Sequence, residues 1–308
     1  MFPTDMLSNL TTEAVNPRTI HIDELDTLAM VGLLQEENTK VHDAVKLVVS
    51  EIAQAVDMLA DTLRNGKRMV YVGAGTSGRL GILDASEMPP TFGLDPTLIN
   101  GLIAGGYKAV FTSVEGAEDS MSAGSEALVE NQSTNPIPIG MVVGISASGR
   151  TPFVLGALEH AAKLGLHTVL VSTNQVELVR AFAPFADLCI CAVVGPEPIT
   201  GSTRMKSGTA QKLILNMLTT GAMVLLGKTY GNVMVDLQPT NEKLKNRAVR
   251  IVCQLAHTNE QTAIQTLEQT NWKVKVAVVM IAKSYTEQQA TNELVARNGR
   301  LRMILEEK

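Results

Sequence analysis

One stretch of the chain decides the fold: Met69-Val70-Tyr71-Val72-Gly73-Ala74-Gly75-Thr76-Ser77-Gly78-Arg79. It reads as an apolar strand, a glycine-rich turn and the start of a helix. Residues 74–79 (AGTSGR) have a near-copy at residues 146–151 (SASGRT), which also follow an apolar run. Each turn offers hydroxyls and backbone N–H groups at the positive end of a helix dipole, where phosphate binds readily. We therefore expect a phosphorylated ligand between the two turns.

Composition limits the class of protein. The chain has 308 residues, of which 45% are hydrophobic and 19% charged, so it is long enough for a large α/β domain with a small accessory one. A net charge of −5 and an aromatic content of 4% argue against a nucleic-acid partner, since no basic stripe and few stacking side chains are present.

The cysteines and the termini indicate where the protein works. Three cysteines form no disulfide framework, and Cys189 and Cys191 lie in a single apolar run, where we expect core packing. No stretch reaches the roughly 18 apolar residues that a membrane span needs, and the N-terminus does not read as a leader. We expect a cytoplasmic protein with no membrane partner.

The order of strands and helices predicts a parallel sheet covered by helices on both faces. The predicted strands are continuously apolar, which is typical of strands buried on both sides. They cover residues 68–73, 98–104, 140–146, 167–172 and 187–194, with helices at 78–88, 119–130, 152–164, 175–181 and 207–226. Two helices, at 26–38 and 41–65, precede the sheet, and only helical patterns follow residue 240. We predict three parts: 1–66, 67–230 and 240–308.

The first glycine-rich turn resembles three known phosphate or nucleophile motifs only in part. It satisfies G-x-G-x-x-G, but the next strand ends without the acidic residue that would bind a ribose. Arg79 and Leu80 replace the lysine and hydroxyl residues of a P-loop, and a nucleophile elbow would need glycine at 79. A phosphate cradle with Thr76 and Ser77 as donors remains, and the alternative is an ordinary tight turn.

A third hydroxyl-rich stretch supports the phosphate interpretation. Residues 200–209 (TGSTRMKSGT) carry five threonine or serine hydroxyls around the start of the helix predicted at 207–226, and Lys206 lies among them. We expect Lys206 to contribute a positive charge to the same anion.

Carboxylates are better acid and base candidates than histidines. The five histidines show neither i,i+3 nor i,i+4 spacing, so no metal is implied. Glu118 follows the second strand, at the sheet edge where open α/β folds bind ligands. Glu87 lies near the end of the first helix, about 15 Å from the turn. Its participation requires the chain to fold back at Pro89-Pro90 or a neighbouring subunit. Judged from spacing alone, either glutamate is more often a solvated surface residue than a functional one.

Nine motifs spread over almost the whole chain carry a resemblance to one family. They are 73–81 (GAGTSGRLG), 84–87 (DASE), 89–91 (PPT), 102–106 (LIAGG), 115–119 (EGAED), 148–152 (SGRTP), 200–206 (TGSTRMK), 208–212 (GTAQK) and 241–244 (NEKL). In them the chain resembles the N-acetylmuramic acid 6-phosphate etherases of the sugar isomerase (SIS) superfamily. The resemblance implies an SIS-type α/β fold, a ubiquitin-associated (UBA)-like helical module at the C-terminus and a homodimer.

The same resemblance implies an activity and roles for residues. The D-lactyl ether of N-acetylmuramic acid 6-phosphate would be cleaved to N-acetylglucosamine 6-phosphate and D-lactate in peptidoglycan recycling, without a cofactor. Glu87 would be the acid for the departing lactate, and Glu118 the base at C2 of the sugar. The substrate-binding residues would be Thr76, Ser77, Ser146, Ser148, Thr151 and Lys206. A phosphosugar isomerase and a non-enzymatic phosphosugar-sensing regulator stay open as alternatives.

Overall fold

The computed structural model describes residues 10–239 and 241–306. The chain divides into two compact units. The first comprises the chain up to Ala85 together with Thr97–Thr219, and the second comprises Ser86–Pro96 with the chain from Thr220 onward. The three-part division expected from the sequence stays a prediction.

A five-stranded parallel sheet forms the centre of the first unit. Its strand order is β2-β1-β3-β4-β5, and every neighbouring pair is parallel. All residues of β1 and β3 are buried, as expected for strands covered on both faces. The strands are β1 (Arg68–Gly73), β2 (Ile99–Ile103), β3 (Ile139–Ile145), β4 (His167–Ser172) and β5 (Leu188–Cys191). This architecture confirms the predicted fold class.

Eight α-helices accompany the sheet along the described part of the chain. They are α1 (Thr27–Lys46), α2 (Val49–Arg64), α3 (Gly75–Phe92), α4 (Gly106–Phe111), α5 (Met121–Ser133), α6 (Pro152–Lys163), α7 (Val176–Phe182) and α8 (Lys206–Leu225). Three of the predicted helix bounds are wrong. Helix α1 runs eight residues beyond the predicted end, α2 begins eight residues after the predicted start, and α3 continues through Pro89 and Pro90. Proline already has helical φ, so near the end of a helix it removes hydrogen bonds without forcing a break.

The N-terminal segment is bound to the sheet unit by buried polar contacts. Asn16 donates to Glu37 Oε2 at 2.8 Å and to the Pro196 carbonyl, and Thr19 donates to the Pro198 carbonyl. Glu37 forms an ion pair with Lys206 at 2.7 Å in which both side chains are fully buried. Burial alone would raise the pKa of Glu37, but hydrogen bonds from Lys206, Lys40 and Asn16 outweigh it and hold the pKa at about 2.

The second unit is mainly helical. A short antiparallel hairpin, β6 (Thr229–Tyr230) with β7 (Val233–Met234), precedes five helices within the described residues 241–306. Asn241, Asn259 and Thr286 each cap a helix by accepting a backbone N–H, which satisfies groups that a helix start leaves unpaired. The helices are α9 (Glu242–Ala256), α10 (Glu260–Gln269), α11 (Val274–Lys283), α12 (Glu287–Ala296) and α13 (Leu301–Leu305). Its likeness to a UBA module stays a prediction.

Within residues 10–239 and 241–306, no helix combines the length and the apolar character that crossing a bilayer requires.

The buried pair of Glu37 and Lys206 predicts a specific loss of acid stability. Removing one partner of a buried pair leaves an unpaired charge, so we expect Glu37→Gln to lower the free energy of unfolding at pH 7 by about 3–5 kcal/mol. The pKa of Glu37 lies below its ordinary 4.5, so its contribution is complete above pH 4.5 and is lost as the pH falls to about 2. The difference in free energy of unfolding between wild type and variant therefore narrows as the pH falls from 4.5 to about 2, which denaturant titrations measure.

Glu36→Gln is the matched control, because the neighbouring Glu36 side chain is 65% exposed in its pair with Arg18. We expect its effect to stay within about 0.5 kcal/mol. Equal effects of the two substitutions, or a gap that is independent of pH, would contradict the assignment.

Candidate active site

The two glycine-rich turns leave the sheet from neighbouring strands. Gly73, the last residue of β1, pairs in register with Ile145, the last residue of β3. The strand order reverses between β1 and β3, because β2 lies beyond β1 while β4 and β5 lie beyond β3. Such a reversal opens a crevice at the carboxyl edge of an open α/β sheet, where ligands bind. The adjacency of the two turns expected from the sequence is therefore present.

The first turn requires glycine because the backbone doubles back on itself. A Cβ at Gly73 would lie 2.5 Å from the backbone nitrogen of Gly78, so no side chain fits there. Helix α3 begins directly after the turn, and the N–H groups of its first turn lack intrahelical acceptors. Thr76 is half-buried, whereas Ser77 is buried and donates its hydroxyl to Gln211 Oε1 at 3.0 Å.

The second turn is organised around the hydroxyl of Ser146. Its Oγ accepts the backbone N–H of Gly149 at 3.1 Å and that of Thr151 at 3.4 Å, and lies 2.7 Å from the hydroxyl of Thr151. Ser146 is 2% exposed, whereas Ser148 and Thr151 are half-buried. Ser146 thus holds the turn in shape, while the other two hydroxyls are the accessible ones.

Glu118 is tied to the start of the helix that follows the second turn. Its backbone carbonyl accepts the N–H of Phe153 in α6 at 3.0 Å, while the residue itself is exposed. Two small cavities share Glu118. One, of about 150 Å³, is lined by Glu118, Asp119, Ser148, Arg150, Thr151 and Pro152. The other, of about 130 Å³, extends from Glu118 to Ala74, Gly75 and Arg79 at the first turn.

The two cavities show which candidates the structure brings together. Glu118, Ser148 and Thr151 share one cavity wall, and Glu118 also borders the first turn through the other cavity. Lys206 lines neither of these cavities: its ammonium is paired with Glu37 at 2.7 Å and is fully buried. The sequence could not reveal this pairing, because Glu37 is 169 residues away along the chain.

Two arginines were missed as site residues in the sequence analysis. Arg150 lines the cavity of the second turn, and Arg79 lines the cavity of the first turn while its Nε donates to the Val110 carbonyl. Both stand directly after glycine in the repeated turn motif, which was the available signal. Guanidinium groups beside hydroxyls and helix N-termini suit an anionic ligand.

Glu87 is exposed in the later part of α3. Because α3 is continuous from Gly75 to Phe92, the fold-back at Pro89-Pro90 that was one way to engage Glu87 is wrong. The chain turns only afterwards, at Gly93, whose φ of +60° is left-handed. The second way, a neighbouring subunit, stays a prediction.

Comparison with known proteins identifies the family. Two N-acetylmuramic acid 6-phosphate etherases, from Yersinia pestis (strain Pestoides F) and Yersinia pseudotuberculosis serotype O:1b (strain IP 31758), are each 50% identical to this chain over 299 residues, covering 97% of it and 99% of the relative. The chain belongs to the N-acetylmuramic acid 6-phosphate etherase family. This confirms the resemblance found in the motifs, and with it the prediction of a lyase. Residues 51–162 also match the family model of the glucokinase regulatory protein N-terminal SIS domain.

Solved structures resemble only part of the chain. A phosphoheptose isomerase from Francisella tularensis is 14% identical with a TM-score of 0.44, covering 65% of this chain and all of that one. A phosphoheptose isomerase from Neisseria gonorrhoeae is 16% identical with a TM-score of 0.43, covering 63% of this chain and 96% of that one. The family assignment therefore depends on the sequence relatives.

Two glycines let the helices behind this site touch, which gives a testable prediction. A Cβ at Gly156 in α6 would lie 2.0 Å from the Met121 carbonyl oxygen of α5, and one at Gly124 would lie 1.9 Å from the Phe153 carbonyl oxygen. We expect Gly156→Ala to lower the free energy of unfolding by about 1–3 kcal/mol, because the two backbones must separate. Thermal denaturation followed by circular dichroism measures this.

Gly32→Ala is the control, since Gly32 lies exposed in α1 with nothing within 4 Å of its would-be Cβ. Replacing a helical glycine with alanine there raises stability by about 0.5–1 kcal/mol. A stabilising effect of Gly156→Ala as well would show that the α5–α6 contact is looser than described.

Proposed function

We propose that this chain cleaves the D-lactyl ether of N-acetylmuramic acid 6-phosphate, giving N-acetylglucosamine 6-phosphate and D-lactate. Two observations support this: membership of the etherase family, and two cavities that place Glu118 beside the hydroxyls of Ser148 and Thr151 and beside the backbone of the first turn at Ala74 and Gly75. The second is the observation on which the proposal depends, because it brings a carboxylate to the edge of an anion cradle. We expect the reaction in the cytoplasm and without a nucleic-acid partner.

The chemistry requires a base and an acid. Once the sugar ring opens, C1 is an aldehyde and the neighbouring C2 proton becomes removable, because the resulting carbanion is delocalised. A base takes this proton, the C3–O bond breaks, and an acid protonates the departing lactate oxygen, which leaves a C2=C3 double bond. Water then adds across it, with its oxygen on C3 and a proton returned to C2. We assign the base role to Glu118 and the acid role to Glu87.

The turns position the substrate for these steps. The first turn of α3 supplies backbone N–H groups and the hydroxyls of Thr76 and Ser77 to the phosphate. Ser148 and Thr151, half-buried beside Glu118, bind sugar hydroxyls, while Ser146 keeps their turn in shape. Holding C2 against the base in this way lowers the activation free energy by about several kcal/mol, as proximity does in other enzymes. Lys206 acts indirectly, by fixing the start of α8 through Glu37.

The two glutamates are separable by experiment. We expect Glu87→Ala to abolish release of D-lactate while still exchanging the C2 proton with solvent deuterium, because its role begins when the ether oxygen departs. Glu118→Ala is expected to abolish both, since it removes the base. Coupled D-lactate assays and NMR in deuterium oxide measure the two quantities.

Glu130→Ala, an exposed glutamate on α5, is the control and keeps both activities. Lactate release at the wild-type rate by Glu87→Ala would overturn its role. Interconversion of simple hexose phosphates without any lactate would favour the isomerase alternative.

We further infer that the active form is a homodimer in which Glu87 of one subunit serves the site that contains Glu118 of the other. The continuous α3 and the exposure of Glu87 support this arrangement. Two inactive variants, Glu87→Ala and Glu118→Ala, would then complement each other, because a mixed dimer contains one intact site.

Random exchange of subunits predicts recovery of roughly a quarter of wild-type activity in an equal mixture. Each variant alone stays inactive, and a Glu87→Ala/Glu118→Ala double variant mixed with either one is the control that recovers nothing. Absence of recovery in a mixture that sedimentation shows to have exchanged would place both glutamates of a site in one chain.

A further inference from the structure

We propose that Gln211 is a positioning residue that makes the Ser77 hydroxyl a hydrogen-bond donor to the phosphate group of the bound sugar. The proposal rests on the proposed function, because it assumes that the phosphate lies at the first turn. It assigns to α8 a role in substrate binding without direct contact.

The observation that carries it is an unsatisfied amide beside the anion cradle. Gln211 is 1% exposed and accepts the Ser77 hydroxyl on Oε1 at 3.0 Å. Its other polar atom, Nε2, is buried without a hydrogen-bond partner among the described residues. Leaving a buried donor unpaired is unfavourable by about 1–3 kcal/mol, so such groups are rare in folded proteins.

The direction of this hydrogen bond decides what Ser77 can bind. A serine hydroxyl carries one proton, and here it is donated to Gln211. With its proton engaged, Ser77 is left only as an acceptor, and the oxygens of a phosphate dianion are acceptors too. In this arrangement the two repel each other. Ser77 therefore donates to the phosphate only if its proton leaves Gln211, and reversal of the bond is the way that keeps the two side chains hydrogen-bonded.

A half-turn of the Gln211 amide reverses it. The amide oxygen and nitrogen have nearly the same size, so the rotation exchanges them within the same space. Nε2 then donates to Ser77 Oγ, and the Ser77 proton is free to point at the phosphate. The rotation pairs Nε2 and leaves Oε1 without its partner, so it exchanges an unpaired donor for an unpaired carbonyl oxygen, which folded proteins tolerate more readily. The resulting chain from Nε2 through Ser77 to the phosphate strengthens each bond in it. Binding of a phosphate thus favours this orientation of Gln211.

Replacing the amide separates this role from simple packing. Gln211→Glu offers Ser77 only acceptor oxygens, so it holds the serine proton and adds a negative charge near the phosphate. Gln211→Met keeps a similar length and removes the donor. We expect Gln211→Glu to raise KM for the phosphosugar by about 10- to 100-fold and Gln211→Met by less. The phosphate does not react, so kcat stays within about twofold.

A double-mutant cycle tests whether Gln211 acts through Ser77. If it does, Ser77→Ala raises KM, and adding Gln211→Met to Ser77→Ala changes KM no further. Competitive inhibition by inorganic phosphate is measured alongside, and its inhibition constant rises with KM. Gln265→Met, at an exposed glutamine of α10, is the matched control and leaves KM unchanged.

The outcomes separate the role of Gln211 from the proposed binding of the phosphate at the first turn. If Ser77→Ala leaves KM and phosphate inhibition unchanged while lactate is still released, the phosphate does not bind at Ser77, and the placement of the phosphate fails together with this inference. If Ser77→Ala raises KM but Gln211→Glu does not, only the role of Gln211 fails. Additive effects of the two single substitutions, or parallel losses of kcat and stability, would show that Gln211 merely packs.

Discussion

The pairing of β1 with β3 is the constraint on which the site depends. Neighbouring strands lie about 5 Å apart, and these two end in register at Gly73 and Ile145. Two turns that are some seventy residues apart in sequence therefore leave the sheet side by side. Each launches a helix, so the positive ends of two helix dipoles converge on one edge. A single such end attracts an anion weakly, whereas a converging pair with hydroxyls and arginines defines a place for it.

Helix α3 is held along α8 by polar contacts at two levels. Ser77 donates a hydrogen bond to Gln211 near the turn. About two helical turns further along α3, Asp84 accepts hydrogen bonds from Asn216 and Thr219. Burial raises the pKa of Asp84, and the hydrogen bonds that it accepts only partly offset this. The Asp84 carboxylate thus joins α3 to partners on α8 and on β1, and these contacts fix the axial position of α3. The first turn of α3 is thus positioned by its neighbours as well as by its own glycines.

How much the sequence revealed depended on whether a signal was local. Continuous apolar runs located all five strands, and the repeated turn predicted which two strands end side by side at one edge of the sheet. The continuity of α3 through Pro89 and Pro90 was not predicted, since proline in a sequence usually ends a helix and only the surroundings show when it does not. Lys206 was expected at the phosphate because a cation among hydroxyls suits an anion. Its actual partner, Glu37, comes from a distant helix and has no local signature.

The attachment of the N-terminal segment has a consequence for synthesis on the ribosome. Asn16 and Glu37 are among the first residues to emerge, yet Pro196 and Lys206, which they bind, are 180 and 169 residues further along the chain. At typical elongation rates, synthesis of the 169 residues between Glu37 and Lys206 takes about 8 to 34 s. During this time the Glu37 carboxylate, which is buried in the folded protein, stays hydrated, and α1 cannot form its buried contact with Lys206. Completion of the sheet, rather than the order of translation, therefore decides when the beginning of the chain becomes structured.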